Sequence, residues 1–397
     1  MVSPFLDRQH GTERCVIEQI EHFSRDPHWT IAVYSQRVSE IDGIVQATEH
    51  SSNLSGAIVW HRVSQIPGPH MLNYLWWFGA NHWRRWRDRQ KGKVRPDLVY
   101  TPGINCLDAD VIVVHIVFHA FYERVRSELA LLRNSLWSWP RLLHRRLYYI
   151  LIMLLEKRIY RKTDARLIAV SNLVAGQLKH YFQRDDVTVI PNAVDTMRFN
   201  PQARRSRRVA SREKFQFIEN DFVVLLIGND WKKKGLDTLL HAAAQLRDLP
   251  LKLLLVGDDD PQLYSALINT LGLNPRIQFS PTSSDVLQFY AACDLYAGPS
   301  LEDSFGLPII EAMACGQPVI ASSAAGASEM VHDGSTGFIL QDPRDHLQLA
   351  SLIRRICTDQ NLRTAIGVAA SRYVLEHCTW QKNAEKTREF LERALSR

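Results

Sequence analysis

Short apolar runs rich in β-branched residues alternate along the chain with longer segments of helical periodicity. The runs are typical of buried parallel strands, and the longer segments are typical of the helices that cover them. In the first half the predicted strands are Thr30–Ser35, Ala57–Arg62, Leu98–Thr101, Val111–His115, Leu167–Ser171 and Val187–Ile190. In the second half they are Phe222–Ile227, Leu251–Val256, Ile277–Phe279, Leu295–Gly298 and Pro318–Ala321. The pattern predicts an α/β protein with two doubly wound sheets in succession.

The predicted domain boundary follows the segment PNAVDTMRFNP, residues 191–201. The next stretch, QARRSRRVASREK, is polar and basic without strand character, which is typical of a linker. We expect one domain at residues 1–200, a second at 201–375, and a C-terminal amphipathic helix at 376–397. A chain of 397 residues has the length of two domains.

The segment PSLEDSFGLPIIEAMACG, residues 299–316, follows one of the predicted strands and begins a helix. Pro308 suits a first helical turn because proline lacks the N–H that goes unused there, and Gly316 ends the helix. The helix start therefore offers backbone amides to an anion. These amides belong to Phe305, Gly306 and Leu307.

Two carboxylates flank this turn, Asp303 before it and Glu311 one turn into the helix. Carboxylates accept hydrogen bonds from hydroxyl groups, such as those of ribose or a hexose. An anion site beside two hydroxyl acceptors suits a nucleotide-sugar. The alternative is that Asp303 caps the turn and Glu311 is a solvated helix residue.

The segment Tyr290–Leu340 resembles the donor-binding core of glycosyltransferase family 4. That family has two acids separated by seven residues, normally both glutamate, and Asp303 and Glu311 fall on those positions. Glu302 is an alternative first acid with a poorer register. The resemblance implies a GT-B fold, in which two Rossmann-like domains face a central cleft, and transfer with retained configuration.

A second resemblance lies in Leu226–Leu240, which contains IGNDWKKKGLDTLL. Lys234 falls on the family lysine that neutralises the donor pyrophosphate. Asn229 stands where the family has arginine, so that Lys232 or Lys233 would have to replace that cation. A solvated basic loop is the alternative.

The first domain contributes a glycine and a histidine to the implied site. HGTER, residues 10–14, falls on a family loop that reads Gly-Gly, of which Gly11 remains. His115 ends a predicted strand, where the family has a histidine near the transferred sugar; His119 is the weaker candidate, and a core histidine is the alternative for both. The implied catalytic residues are Asp303, His115 and Lys234. The implied donor-binding residues are Gly11, Asn229, Lys233, Lys234, Ser304, Phe305, Gly306, Leu307 and Glu311.

The resemblance implies a hexosyltransferase that uses a UDP-sugar, or GDP-mannose as the second choice, with neither a metal nor another cofactor. A glycosidase is not expected, because its two acids would flank one scissile bond. Two other classes stay open. A GT-B nucleotide-sugar epimerase would share the phosphate site, and a non-catalytic protein would bind the donor without turnover.

Tryptophan and arginine are interleaved in Leu72–Arg95, and a second basic-aromatic zone covers residues 124–162. Apolar anchors beside cations suit an anionic membrane surface, and the formal net charge of +6 favours an anionic partner. A core with a solvated face and single-stranded nucleic acid are the alternatives. We expect a lipid-linked or polysaccharide acceptor and no nucleic acid.

The remaining features indicate a cytoplasmic protein, peripheral at most on the inner face of the membrane. The N-terminal residues are polar and do not resemble a signal peptide, although the first strand is short or lacks its start. The longest apolar run, Leu147–Leu155, is far below the roughly 20 residues of a spanning helix. The six scattered cysteines are expected to be reduced.

Overall fold

The computed structural model describes residues 1–7, 11–39, 41, 43–46, 58–92, 94–126, 139–162 and 164–396. His10, Ala57 and residues 127–138 of the second basic-aromatic zone lie outside these ranges. The chain divides into two compact units. The first unit comprises Met1–Ile190 with Asn383–Arg397, and the second unit comprises Pro191–Lys382. The second unit thus begins at Pro191, before the boundary expected at residue 201.

Parallel strands form the sheets of the first unit. They are β1 (Phe5–Leu6), β2 (Ile31–Ser35), β3 (Arg37–Val38), β4 (Ile44–Gln46), β5 (Ile58–Arg62), β6 (Tyr100–Pro102), β7 (Val111–Val114), β8 (Arg166–Ala169) and β9 (Val187–Val189). The strands pair in the orders β1-β3, β2-β5-β4 and β6-β7-β8-β9. The helices are α1 (Gly11–Ser24), α2 (His70–Gln90), α3 (Phe118–Val125), α4 (Trp139–Tyr160) and α5 (Asn172–Phe182).

The second unit has one six-stranded parallel sheet. Its strands are β10 (Phe222–Ile227), β11 (Leu251–Val256), β12 (Ile277–Ser280), β13 (Leu295–Gly298), β14 (Val319–Ser322) and β15 (Phe338–Leu340). The helices of this unit are α6 (Pro201–Lys214), α7 (Leu236–Ala244), α8 (Gln262–Thr270), α9 (Leu287–Ala292), α10 (Leu307–Ala314), α11 (His346–Thr358) and α12 (Gln360–His377). Helix α13 (Trp380–Leu395) begins in this unit and belongs to the first unit from Asn383 onward.

The strand order of this sheet is β12-β11-β10-β13-β14-β15. The order reverses at β10, which pairs with β11 on one side and with β13 on the other. All six residues of β10 are buried, because helices cover both faces of a doubly wound sheet. Ligands of such sheets bind beyond the carboxyl ends of the strands at the reversal, so β10 and β13 locate the site.

The predicted strands Phe222–Ile227, Leu251–Val256 and Leu295–Gly298 are confirmed with the same bounds. The pattern missed Arg37–Val38 and Phe338–Leu340. Runs of two or three residues are too short to show a period, and tertiary pairing decides their structure.

The prediction of a linker after Pro201 is wrong, because these residues form helix α6. Asn200 caps it by accepting a hydrogen bond from the Ala203 amide, and Pro201 occupies the first turn. Polar contacts attach its basic face to the unit: Arg208 and Arg212 both pair with Asp294. Ion pairs rather than an apolar stripe hold this helix, which explains why the hydrophobic pattern missed it.

Candidate functional site

The candidate site of the second unit consists of two loops at the reversal of the sheet. One loop follows β10 and begins at Gly228, and the other follows β13 and begins at Pro299. The Leu301 amide donates a hydrogen bond to the Lys233 carbonyl over 2.7 Å, which joins the two loops. The sheet topology therefore brings together motifs that lie about 70 residues apart in sequence.

Lys234 and Asp303 form the charged centre of these loops. The Lys234 Nζ lies 2.5 Å from the Asp303 Oδ2, and both side chains are largely buried, with exposed fractions of 20% and 18%. A partly desolvated ion pair holds its two members in one geometry more firmly than a surface pair does. The ammonium is thereby fixed beside the turn that starts α10.

Gly235 determines how closely the two loops approach. It lies in the left-handed region with a φ of +77°, and a Cβ added there would be 1.9 Å from the Pro299 carbonyl oxygen. No side chain fits at that distance, so only glycine permits this contact. Lys234, the residue before it, therefore takes its position from a tight backbone contact.

The turn before α10 presents backbone donors beside the ion pair. Gly306 has a φ of +93° and precedes the first helical residue, Leu307. The Phe305 amide donates to the Asp303 Oδ1 over 3.3 Å, whereas the Gly306 and Leu307 amides donate to no other group within the described ranges. Ser304 is half-buried in the same turn. Of the three amides expected to bind an anion, those of Gly306 and Leu307 have no competing acceptor.

Glu311 is buried on the first turns of α10, with an exposed fraction of 3%. The Tyr290 hydroxyl donates a hydrogen bond to the Glu311 Oε2 over 2.7 Å, and this contact is buried. Burial and the neighbouring carboxylate raise the pKa of Tyr290, so the phenol keeps its proton. Glu311 is therefore a fixed buried acceptor, contrary to the alternative of a solvated helix residue.

Tyr290 contacts Glu311 in this site, but the sequence analysis did not predict it as a site residue. It begins the segment that resembles the family core, but nothing in its spacing shows that it contacts Glu311. Its edge packs against the Phe199 ring at 5.8 Å, which fixes the phenol from the other side.

The other polar residues of the β10 loop have partners of their own. The Asn229 Oδ1 accepts a hydrogen bond from the Asp258 amide, and Lys233 pairs with Asp230 over 2.6 Å. Asn229 thus joins its loop to the end of β11 and adds no positive charge. The Lys234 side chain, by contrast, pairs with Asp303 of the loop after β13.

The candidate residues of the first unit lie at the end of a strand and at the start of a helix. His115 directly follows β7 and is half-buried, and desolvation lowers its pKa to about 4. Its imidazole is therefore neutral at pH 7. Gly11 is exposed at the first position of α1.

His119 is a structural residue. Its Nδ1 lies 2.7 Å from the Glu156 Oε2, and Glu156 also accepts hydrogen bonds from the Phe118 and His119 amides. Glu156 is fully buried and closes the N-terminus of α3. This set of contacts accounts for His119 without a ligand.

Two family models match the chain in succession. The model described as Glycosyltransferase Family 4 matches residues 10–198, and the model described as Glycosyl transferases group 1 matches residues 208–373. Together they cover most of both units.

Among curated proteins, the chain is similar to the D-inositol 3-phosphate glycosyltransferase of Salinispora arenicola. The two are 34% identical over 236 residues, which are 55% of this chain and 52% of that protein. The lipopolysaccharide glucosyltransferase WaaG of Escherichia coli is 27% identical over 217 residues, 53% of this chain and 58% of WaaG. The chain thus spans about half the length of the curated relatives it matches.

Among solved structures, the whole chain superimposes on the glycosyltransferase WaaG and on HepE. A crystal structure of WaaG, described as involved in lipopolysaccharide biosynthesis, gives a TM-score of 0.73 with 19% identity and covers 98% of both chains. HepE of Anabaena in complex with UDP-glucose gives 0.67 with 21% identity, covering 99% of this chain and 100% of HepE. At this identity the likeness shows the fold.

Proposed function

The chain belongs to the group 1 and family 4 glycosyltransferases of GT-B fold, and from this we propose that it transfers a hexose from a nucleotide-sugar to a glycan or lipid-linked acceptor with retained configuration. The observation that carries the proposal is the contact of Lys234 with Asp303 beside the open amides of Gly306 and Leu307. A cation and free amides suit a diphosphate, and a carboxylate suits the hydroxyls of the attached sugar.

In this proposal each group has one role. Lys234 and the two amides bind the diphosphate and stabilise the negative charge that develops on it as the glycosidic bond to the sugar breaks. Glu311, fixed by Tyr290, accepts hydrogen bonds from the ribose hydroxyls. Asp303 accepts hydrogen bonds from the sugar hydroxyls, and the neutral His115 contacts the transferred sugar.

A UDP-sugar is the proposed donor, with GDP-mannose as the second choice. The solved structure of HepE with UDP-glucose supports this order, because it has the same fold as this chain. The leaving diphosphate requires no metal in this scheme, since Lys234 and the helix-start amides supply the positive charge. The described residues contain no group of three or more side chains suited to a metal ion.

The first unit supports a membrane-bound acceptor through two apolar stripes. On α2, residues at helical spacing are exposed: Leu72, Leu75, Trp76, Trp83 and Trp86. On α4 the same is true of Leu143, Leu147, Ile150 and Leu154. The two helices contact each other through Tyr74 and Tyr148, whose rings are 6.0 Å apart. We name these nine exposed residues the two-helix face.

Cations border the two-helix face. Arg87 lies over the Trp83 ring at 4.8 Å, and Arg89 is exposed on the same helix. Aromatic and aliphatic groups beside arginines favour the surface of an anionic bilayer. Trp77, in contrast, is buried in the core, so the tryptophans divide between the two readings of the sequence. None of the helices in the described ranges is long and apolar enough to cross a bilayer. We therefore propose a peripheral position at the cytoplasmic face of the membrane.

A panel of radiolabelled UDP- and GDP-sugars, incubated with the protein and a membrane extract, tests the proposal. We expect one donor to give label in the lipid or glycan fraction. The NMR spectrum of the product should show that the transferred sugar keeps the anomeric configuration it had in the donor. Altered nucleotide-sugar without an acceptor would indicate an epimerase. Donor binding without any product would indicate a non-catalytic binding protein.

A further inference from the structure

The second unit has a cavity of about 230 Å³ between α6, α10 and α12. Asp294 and Pro318, which line it, directly precede β13 and β14. The cavity therefore lies at the amino ends of the strands. The loops after β10 and β13, which we name the donor loops, follow the carboxyl ends. The cavity belongs to no part of the proposed donor site.

Three arginines are among the residues that line this cavity: Arg204, Arg205 and Arg363. Asp294 is the carboxylate in the lining, and it already pairs with Arg208 and Arg212, over 2.7 Å and 3.2 Å. The lining consequently carries an excess of positive charge. Such a concave basic surface attracts anions.

Arg204 and Arg363 are held in place by backbone groups at helix ends. Arg204 donates to the Tyr290 and Cys293 carbonyls, and Arg363 donates to the Ile356 and Cys357 carbonyls. Each guanidinium has five N–H donors, so both retain donors after these contacts. Their positions are preorganised rather than dependent on a ligand.

Arg205 differs from the other cations of α6. Arg207 pairs with Asp285, Arg208 and Arg212 pair with Asp294, and Lys214 donates to the Gln288 Oε1. Arg205 is exposed and, within the described ranges, forms neither a hydrogen bond nor an ion pair. The cation without a partner is thus the one that lines the cavity together with Arg204 and Arg363.

We propose that this cavity binds a phosphomonoester group, with Arg205 as the residue that closes on it. Guanidinium groups bind phosphate oxygens through paired N–H donors, which favours a phosphate over a carboxylate in a cavity lined by three arginines. The volume lies below the 300–1,000 Å³ typical of sites for larger ligands, so it suits a phosphate with a small part of the molecule that carries it. The group belongs either to a soluble phosphate ester or to the headgroup of a lipid.

Isothermal titration of the full chain with inorganic phosphate, at constant ionic strength, tests the proposal. The Lys234→Ala variant is the background, because it weakens any binding at the donor loops. We expect one saturable site whose Kd rises about tenfold in Arg205→Ala, since a hydrogen bond to a charged group contributes that much. Arg207→Ala, on the same helix with a partner of its own, should leave the Kd unchanged.

Equal affinities of the Arg205→Ala and Arg207→Ala variants would overturn the proposal, and so would the loss of all phosphate binding in Lys234→Ala alone. Glycerol 3-phosphate and vesicles that contain phosphatidic acid then distinguish the two sources of the group. Loss of sugar transfer in the Lys234→Ala background does not affect the measured Kd for phosphate. The proposal of a phosphate site can therefore be refuted independently of the proposal of sugar transfer.

Discussion

The donor loops of the second unit and the two-helix face of the first unit are built in opposite ways. In and beside the donor loops the charged side chains are fixed, by the Lys234–Asp303 pair, by the Tyr290–Glu311 contact and by the backbone approach at Gly235. On the two-helix face large apolar side chains are exposed instead of packed in the core. Trp83 and Trp86, for instance, are more than half exposed.

This difference shows which features of the sequence encode each part of the proposed function. Positions that must hold a diphosphate and a sugar within a fraction of an ångström depend on short motifs, because one altered atom displaces the group. A surface that adsorbs to lipid depends on composition and helical spacing, and it tolerates exchange of similar residues. Substitutions in the two regions should therefore differ in both size and kind.

Replacement of Asp303 should have the largest effect. Asp303→Asn removes the charge that holds Lys234 and replaces one of the two carboxylate oxygens proposed to accept from the sugar with an N–H donor, so we expect transfer to fall by about 1,000-fold. Initial rates with a radiolabelled donor measure this. Glu302→Gln is the matched control on the neighbouring acid and should stay within about threefold of wild type. A larger loss in Glu302→Gln than in Asp303→Asn would assign the first acid to Glu302.

Gly235→Ala tests the steric basis of the donor loops. Because the added Cβ would overlap the Pro299 carbonyl and φ is positive, we expect the free energy of unfolding to fall by about 3 kcal/mol or more. Urea denaturation gives the value. Gly176→Ala is the control, because Gly176 lies within helix α5 and nothing lies within 4 Å of an added Cβ. This change should leave the free energy of unfolding unchanged or raise it. Similar losses in both variants would contradict the contact.

The double change Trp83→Ala with Trp86→Ala tests the two-helix face. Removal of two exposed aromatic anchors should reduce binding to anionic vesicles about tenfold, with little change in stability. Sedimentation with vesicles at low salt measures it. Leu263→Ala, an exposed apolar residue of the second unit, should leave vesicle binding as it is. Unchanged sedimentation of the double variant would contradict the proposal that the two-helix face binds the membrane.

A smaller effect concerns the protonation of His115. Its pKa in the fold, about 4, lies below its usual value, so the fold favours the neutral ring. Stability that is present above about pH 6.5 should therefore be lost as the pH falls toward 4. Between pH 7 and pH 5 we expect wild type to lose about 1 kcal/mol more than His115→Gln, as measured by urea denaturation at each pH. Parallel pH profiles would contradict this.

Sequence patterns predicted the second unit more completely than the first. Buried parallel strands such as FVVLLI, residues 222–227, are continuous apolar runs with clear ends, and the acid motif follows β13 directly. The contacts of the site were not accessible in this way. That Tyr290 donates to Glu311, or that Asn229 binds the Asp258 amide, depends on how loops pack, and no spacing along the chain encodes it.

The basic and aromatic segments also show what sequence composition cannot predict. Composition alone could not separate the linker expected after Pro201 from the helix that is found, because the ion pairs with Asp294 come from a segment about 85 residues away. Nor could it separate Trp77, which is core, from Trp76, which is exposed. Adjacent positions on a helix face different surroundings, and only packing shows which side is covered.

Calorimetric titration of UDP into wild type, Lys234→Ala and Lys232→Ala tests the proposed diphosphate site most directly. If Lys234 and the Gly306 and Leu307 amides form the diphosphate site, Lys234→Ala should weaken binding by about 30-fold or more, since it removes a charged contact in a partly buried site. Lys232→Ala, two residues away on the exposed side of the same loop, should change it less than threefold. Equal affinity of wild type and Lys234→Ala for UDP would contradict the account.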